Sequence, residues 1–304
     1  MATPPDVLAG SATGSIYDLG YRRYDGPRLG RRHAVGALFV HGLRAVFGLG
    51  RSGRSKVAPL VLGGLIALPA VVSVGFGALA GGVGEDFNPI TLEGYLPFAQ
   101  TLLVFFVAAQ APELLVRDQR HRVLTLYFSR ALERSDYVLA KYLALLTAVA
   151  LVLALPQVVL LVGMLFATPS FTDGLAEIVP LIWPVFGRTV VIAALLAGVG
   201  LLASAFTVRR AFAAGAIIAA FLVSSGVVTV LVNRVGLDGP LALIALADPF
   251  ALMDAVSALL FGIDPTMPAI LRTDLPVELF AGAAIAISLA CLGVLILRYR
   301  RIAA

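Results

Sequence analysis

Long apolar runs alternate with short charged blocks along this chain. About 20 apolar residues span a bilayer as a helix, and six stretches meet that length: 57–80, 95–111, 142–167, 188–206, 211–232 and 277–297. The second ends at Pro112. Residues 178–206 are too long for one span and hold Pro180, Pro184 and Arg188. The expected division is an interfacial or re-entrant piece at 178–186, then a span opening on Arg188, whose side chain snorkels to the headgroups. Residues 249–263 are short for a span and are interrupted by Asp254, which predicts a re-entrant or surface helix. In 33–50, Val35, Leu38, Phe39, Leu43, Val46 and Phe47 recur at three- and four-residue steps, with His41 and Arg44 elsewhere on the wheel. That pattern predicts an amphipathic helix lying on the membrane surface; the competing reading is a soluble helix packed on a partner.

The pattern predicts an all-α membrane protein: six transmembrane helices, an N-terminal amphipathic interfacial helix, and re-entrant segments before the last span. Its parts are a cytoplasmic arm (1–56) and a six-span domain (57–304), with a cytoplasmic loop at 113–141 and an extracytoplasmic region at 233–276. Composition agrees, since 60% of the 304 residues are hydrophobic and 13% charged, against about 25% charged in soluble domains. The net charge is +5, and 20 of the 23 basic residues fall on one side of the predicted spans. The positive-inside rule puts both termini in the cytoplasm. Basic residues that flank spans argue for topology, not for nucleic acid. The first apolar run starts too deep for a cleaved signal peptide. An Arg-over-Lys bias with abundant Ala, Gly and Val points to a GC-rich bacterium and hence to its cytoplasmic membrane.

Chemistry is sparse. His33, His41 and His121 all lie outside the spans, which excludes bis-His haem or His-based metal sites within the bilayer. Cys291 is alone, so neither an intrachain disulfide nor a Cys-rich metal site is expected. The spans carry almost no acids for a proton relay. Neither lysine, Lys56 or Lys141, sits in a Gly-rich phosphate loop, so any ATP hydrolysis belongs to a partner chain.

The block 113–141 is too long for a simple turn. It alternates charged clusters with Leu114, Leu115, Val123, Leu124, Leu126, Tyr127 and Phe128, a set that predicts folding and docking. The other reading is that its Arg residues only fix topology. Ser135 is the expected N-cap of the third span, with Asp136 in its first turn.

Within this block, Ser129-Arg130-Ala131-Leu132-Glu133-Arg134-Ser135-Asp136-Tyr137, followed by Lys141, resembles an element between the second and third spans of ABC-2 family ABC transporter permeases. There the pattern reads Ser-Arg-Pro-x-x-Arg-x-x-Tyr; Ala131 stands in place of the proline. Tyr21-Arg22-Arg23-Tyr24-Asp25-Gly26-Pro27-Arg28 is similar to the opening of some bacterial members. The resemblance implies a permease without a cofactor of its own, paired with a second permease chain. A separate ABC ATPase subunit would bind ATP and Mg. It makes Glu113, Asp118, Arg120, Arg122, Arg130 and Arg134 candidates for coupling to that ATPase. Leu124, Leu126, Tyr127 and Phe128 would serve as apolar anchors.

The resemblance also implies that the second and fifth spans line the pathway. Ser225, Thr229 and Asn233 share one face of the fifth span, with Ser224 beside them, while Gln100 and Gln110 lie on the second. These residues would contact cargo, or the Ser and Thr would bond their own helices and aid packing. Gly63-Gly64 and residues 213–215 are assigned to helix packing. The leading expectation is an exporter subunit for an amphipathic drug, lipid or peptide. The alternative is a scaffold that transmits force without transport. A membrane enzyme is disfavoured, because the spans lack clustered reactive groups.

Overall fold

The computed structural model describes residues 26, 29–50, 53–79, 90–128, 132–168, 170–237 and 239–301. The expectations for Ser129, Arg130 and Ala131, and for 21–28 apart from Gly26, lie outside them. Every regular element among the described residues is helical. Six helices among the described residues are long and apolar enough to cross a membrane. They are α2 (Arg54–Leu79), α3 (Tyr95–Arg120), α5 (Arg134–Ala167), α6 (Phe171–Ala205), the pair α7 (Arg210–Ile218) and α8 (Ser224–Arg234) joined through one π-turn (Ala219–Val223), and α11 (Val277–Arg300). Shorter helices complete the chain: α1 (Arg31–Val46), α4 (Leu124–Phe128), α9 (Pro249–Phe261) and α10 (Pro268–Leu271).

Each predicted span is matched by a long apolar helix, but three boundaries differ for physical reasons. First, α3 does not stop at Pro112; it runs on to Arg120. Pro112 removes one hydrogen bond to the preceding turn. Arg210, at the start of α7, reaches that turn, donating from Nη2 to the Ala109 carbonyl at 3.3 Å and pairing with Glu113. Second, 178–186 is not a separate re-entrant piece. Residues 171–205 form one 35-residue helix containing Pro180 and Pro184. Those prolines are four apart, so both missing bonds fall on one helix face and the rest of the ladder continues. Arg188 is therefore in mid-helix, and it is fully buried rather than snorkelling.

The third span begins at Arg134, and its N-cap is Glu133, not Ser135. Glu133 and Asp136 form a reciprocal capping box, with the Glu133 N–H donating to Asp136 at 3.1 Å. At the far end of α5, Ser170 caps α6 by accepting from the Asp173 N–H at 3.2 Å. This cap closes a hairpin of two helices of 34 and 35 residues.

The centre of the molecule is α3, α5, α6 and α11, with α2 and α7–α8 less enclosed. The helices approach closely where side chains are smallest. A Cβ on Gly200 would lie 2.4 Å from Val107 of α3, and one on Gly163 would lie 2.5 Å from Val74 of α2. A Cβ on Gly63 or Gly64, both expected to pack helices, would meet nothing within 4 Å among the described residues, and Gly215 is equally open; Ala213 is buried. Helix α1 buries Leu38, Gly42, Ala45 and Val46 against α5 and α3.

Between α8 and α11, a 3-10 segment (Gly239–Ala247) meets α9 at 93°. Asp248 makes the corner, accepting from the N–H groups of Phe250 at 3.0 Å and Ala251 at 3.4 Å. The apolar run around Asp254 is thus one helix, α9, the second arm of this bent pair, and it packs on α11 and α6. Asp254 accepts from the Thr266 and Met267 N–H groups at 2.7 and 3.0 Å and from the Thr266 hydroxyl at 2.9 Å. A carboxylate among apolar residues is stable here because three donors satisfy it.

Candidate functional site

The most chemically organised region lies where α3, α5, α11 and α1 converge, at the end of the bundle richest in Arg. Because α3 outruns Pro112 and α5 starts eight residues before Tyr142, both helices carry charged residues past their apolar portions. Asp118 of α3 accepts from Lys141 Nζ at 2.8 Å and from the Tyr137 hydroxyl at 2.9 Å. Lys141 is 3% exposed and Asp118 14%, so water screens the pair poorly. The Tyr137 ring stacks among Tyr127, Phe128 and Tyr299, with centroids 5.5–6.1 Å away. Gln119 donates to the Tyr299 hydroxyl at 2.8 Å. Arg134 donates to the Arg300 carbonyl at 2.9 Å and lies over the Phe128 ring. Arg31 of α1 grips both Asp136 oxygens, at 2.7 and 2.8 Å, and pairs with Glu133. These bonds, to Asp136 first and then Glu133, raise the Arg31 pKa above its usual value. Burial, with Asp118 nearby, pushes the Tyr127 phenol up.

The coupling residues expected from sequence therefore divide by role. Glu113 and Asp118 are committed to Arg210 and to Lys141 with Tyr137. Arg134 holds the last turn of α11. Leu124, Tyr127 and Phe128 are half-buried against their own chain. Arg120 and Arg122 are exposed, and Leu126 is 66% exposed between them and the Tyr–Phe anchors. Arg122 has φ 51°, the one non-glycine residue with positive φ among the described residues. It turns the chain sharply from α3 into α4.

The pathway candidates do not form one site. Gln100 and Gln110 are buried in α3, about 15 Å apart along its axis. Ser225 faces the Asp248 carboxylate, and Ser224 donates to the Ala220 carbonyl of its own helix. Thr229 and Asn233 line an open cleft of about 430 Å³ with Val230, Arg234 and Arg272.

One constellation was not anticipated. Arg188 of α6 donates from Nη2 to Gln157 Oε1 at 2.5 Å and to the Leu92 carbonyl at 3.0 Å. Its guanidinium sits 4.4 Å from the Phe261 ring centroid. Gln157 in turn donates to the Leu153 carbonyl at 2.8 Å and Thr189 Oγ1 at 3.0 Å. Arg188 Nε and Nη1 have no partner among the described residues. The group ties α5, α6, α9 and the segment before α3 together. The signal available in sequence was a Gln and an Arg, each isolated in an apolar run.

Among the described residues no three His, Cys, Asp or Glu side chains gather as a metal site. In comparisons with known proteins, no family model matches the chain and no curated protein is significantly similar to it.

Proposed function

We propose that this chain is the membrane permease subunit of an ATP-driven exporter of the ABC-2 type, moving an amphipathic compound with energy from a separate ATPase. The supporting observation is the braced projection at the Arg-rich end. Arg120, Arg122 and Leu126 face outward on a turn whose inner side is fastened to α3, α5 and α11, with α1 fastened to the start of α5. A force on that turn would pass directly into four helices, which is what a mechanical input to a transporter requires. In this reading the Arg-rich end faces the cytoplasm of a bacterial cell, α1 lies at the interface and the bent 3-10/α9 pair is re-entrant. A second permease chain covers the bare faces of α2 and α7–α8.

The test is co-purification of an ATPase from the native membrane. Reversing exposed charges with Arg120→Glu and Arg122→Glu should leave the permease folded and abolish capture of the ATPase. Undiminished capture would remove the turn as the coupling surface. Stimulation of the pair's ATPase by amphipathic compounds, followed by their vectorial movement in vesicles, separates transport from force transmission alone.

A further inference from the structure

The outer face of α1 carries a feature that the coupling surface does not use. Arg32, His33, Val40, His41 and Arg44 are exposed along one side of the helix, with Gly36 and Ala37 between them. Together with Arg117 from α3 and with Leu49 and Gly50, they line a groove of about 1,090 Å³. The small residues Gly36 and Ala37 form its floor. Arg32 and Arg44 stand about 18 Å apart along the axis. No acidic side chain lines it among the described residues. Apolar surface is present as well: Val40 is 43% exposed and Leu49 53%.

The level of this groove follows from its neighbours. A Cβ on Gly42 would lie 2.9 Å from Ala144 of α5 and 3.7 Å from Leu114 of α3. Leu114 adjoins Glu113, the partner of Arg210 where α7 begins. Gly48 abuts the backbone of Ser55, one residue into α2, and its carbonyl accepts from the Ser55 hydroxyl at 3.4 Å. The Arg44–Leu49 end thus sits beside the start of α2, with Arg54 and Lys56 adjoining Ser55, and level with the start of α7. That is the depth of lipid headgroups if these helices cross a bilayer.

We infer that this groove binds an anionic phospholipid, its phosphate held by Arg44 and Arg117 with Arg32 at the outer end, and an acyl chain laid over Leu49 and Val40. The chemistry is specific in three respects. Arginine forks match phosphate oxygens. A basic pocket beside helix ends favours anionic headgroups over zwitterionic ones. An apolar margin adjoining the charges suits a ligand that is charged at one end only. The inference uses the membrane placement of the helices and not the exporter reading, so the two fail separately.

The test uses the purified full chain in detergent. Phosphatidylglycerol and phosphatidylcholine are titrated separately, and bound lipid is read by native mass spectrometry. Wild-type protein should retain phosphatidylglycerol preferentially, and the triple variant R32A/R44A/R117A should bind it at least about tenfold more weakly. R32K/R44K/R117K should keep a substantial part of the preference. Glycerol phosphate should compete poorly, because it lacks the acyl chain. If the triple variant loses its size-exclusion peak, the single variants R44A and R117A are read instead. Equal retention by wild type and alanine variants overturns the inference, as does equally tight binding of glycerol phosphate. It is also overturned if the variants keep their lipid but lose a co-purifying protein, which would make the groove a protein-docking face.

Discussion

Lys141 and Arg188 are both buried cations, and their surroundings treat them differently. Lys141 meets a carboxylate. Breaking a buried ion pair strands the other charge, so Lys141→Met or Asp118→Asn should each cost about 3–5 kcal/mol of stability. The double variant D118L/K141M should recover most of that loss, a non-additivity that thermal unfolding in detergent would show. Among the described residues Arg188 meets carbonyl oxygens and an aromatic face, and its Nε and Nη1 donate to nothing. Gln157→Leu leaves it a single acceptor and should destabilise by about 1–3 kcal/mol. Arg188→Met removes the charge altogether and should cost less than Gln157→Leu. The opposite ranking would show that the charge itself holds the four segments together. Neither pair was legible from sequence. Asp118 and Lys141 lie on opposite arms of one loop, and nothing in their spacing says that they meet. For Gln157, reflection about the α5–α6 turn selects a partner near position 181, about two turns from Arg188.

At the scale of elements, hydrophobic period and run length sufficed to find the six long apolar helices. They fail where a proline suggests a stop. Pro112, Pro180 and Pro184 all sit inside helices. A proline costs one hydrogen bond, and in an apolar bundle a neighbouring donor or the rest of a long helix can absorb that loss. Beside Pro112 an outside donor, Arg210, reaches the Ala109 carbonyl from nearly a hundred residues away, so local sequence cannot announce it. The Glu133 cap was missed because Ser135 is the better capping residue by preference, whereas Arg31 holds Glu133 and Asp136 in place from α1. Close helix contacts are equally non-local. Gly63-Gly64 reads as a packing pair, yet a Cβ on either would touch nothing among the described residues, whereas one on Gly200 would press hard against Val107. Gly200→Val should therefore destabilise by about 1–3 kcal/mol through overpacking, while Gly63→Ala should be near neutral in the isolated chain, both read by thermal unfolding.

For the whole molecule, sidedness is the property to measure first. In a Cys291→Ser background, Thr125→Cys on α4 should react with a membrane-impermeant maleimide only from the cytoplasmic face, and Asp264→Cys after α9 only from the opposite face. Labelling of both from one face would refute the topology and the functional reading with it. The brace at the Arg-rich end has a temporal consequence as well. Its outermost strut, Tyr299 with the Arg300 carbonyl, is the last turn of α11 and is translated after the apolar part of every long helix. A nascent chain halted just before that point has its apolar helices complete, but Tyr137 and Arg134 still lack their last supports. The surface offered by α4 is therefore stiffened only once Tyr299 and Arg300 have emerged, so a companion that recognises only its stiffened form would engage chains that include them and pass over chains truncated before them.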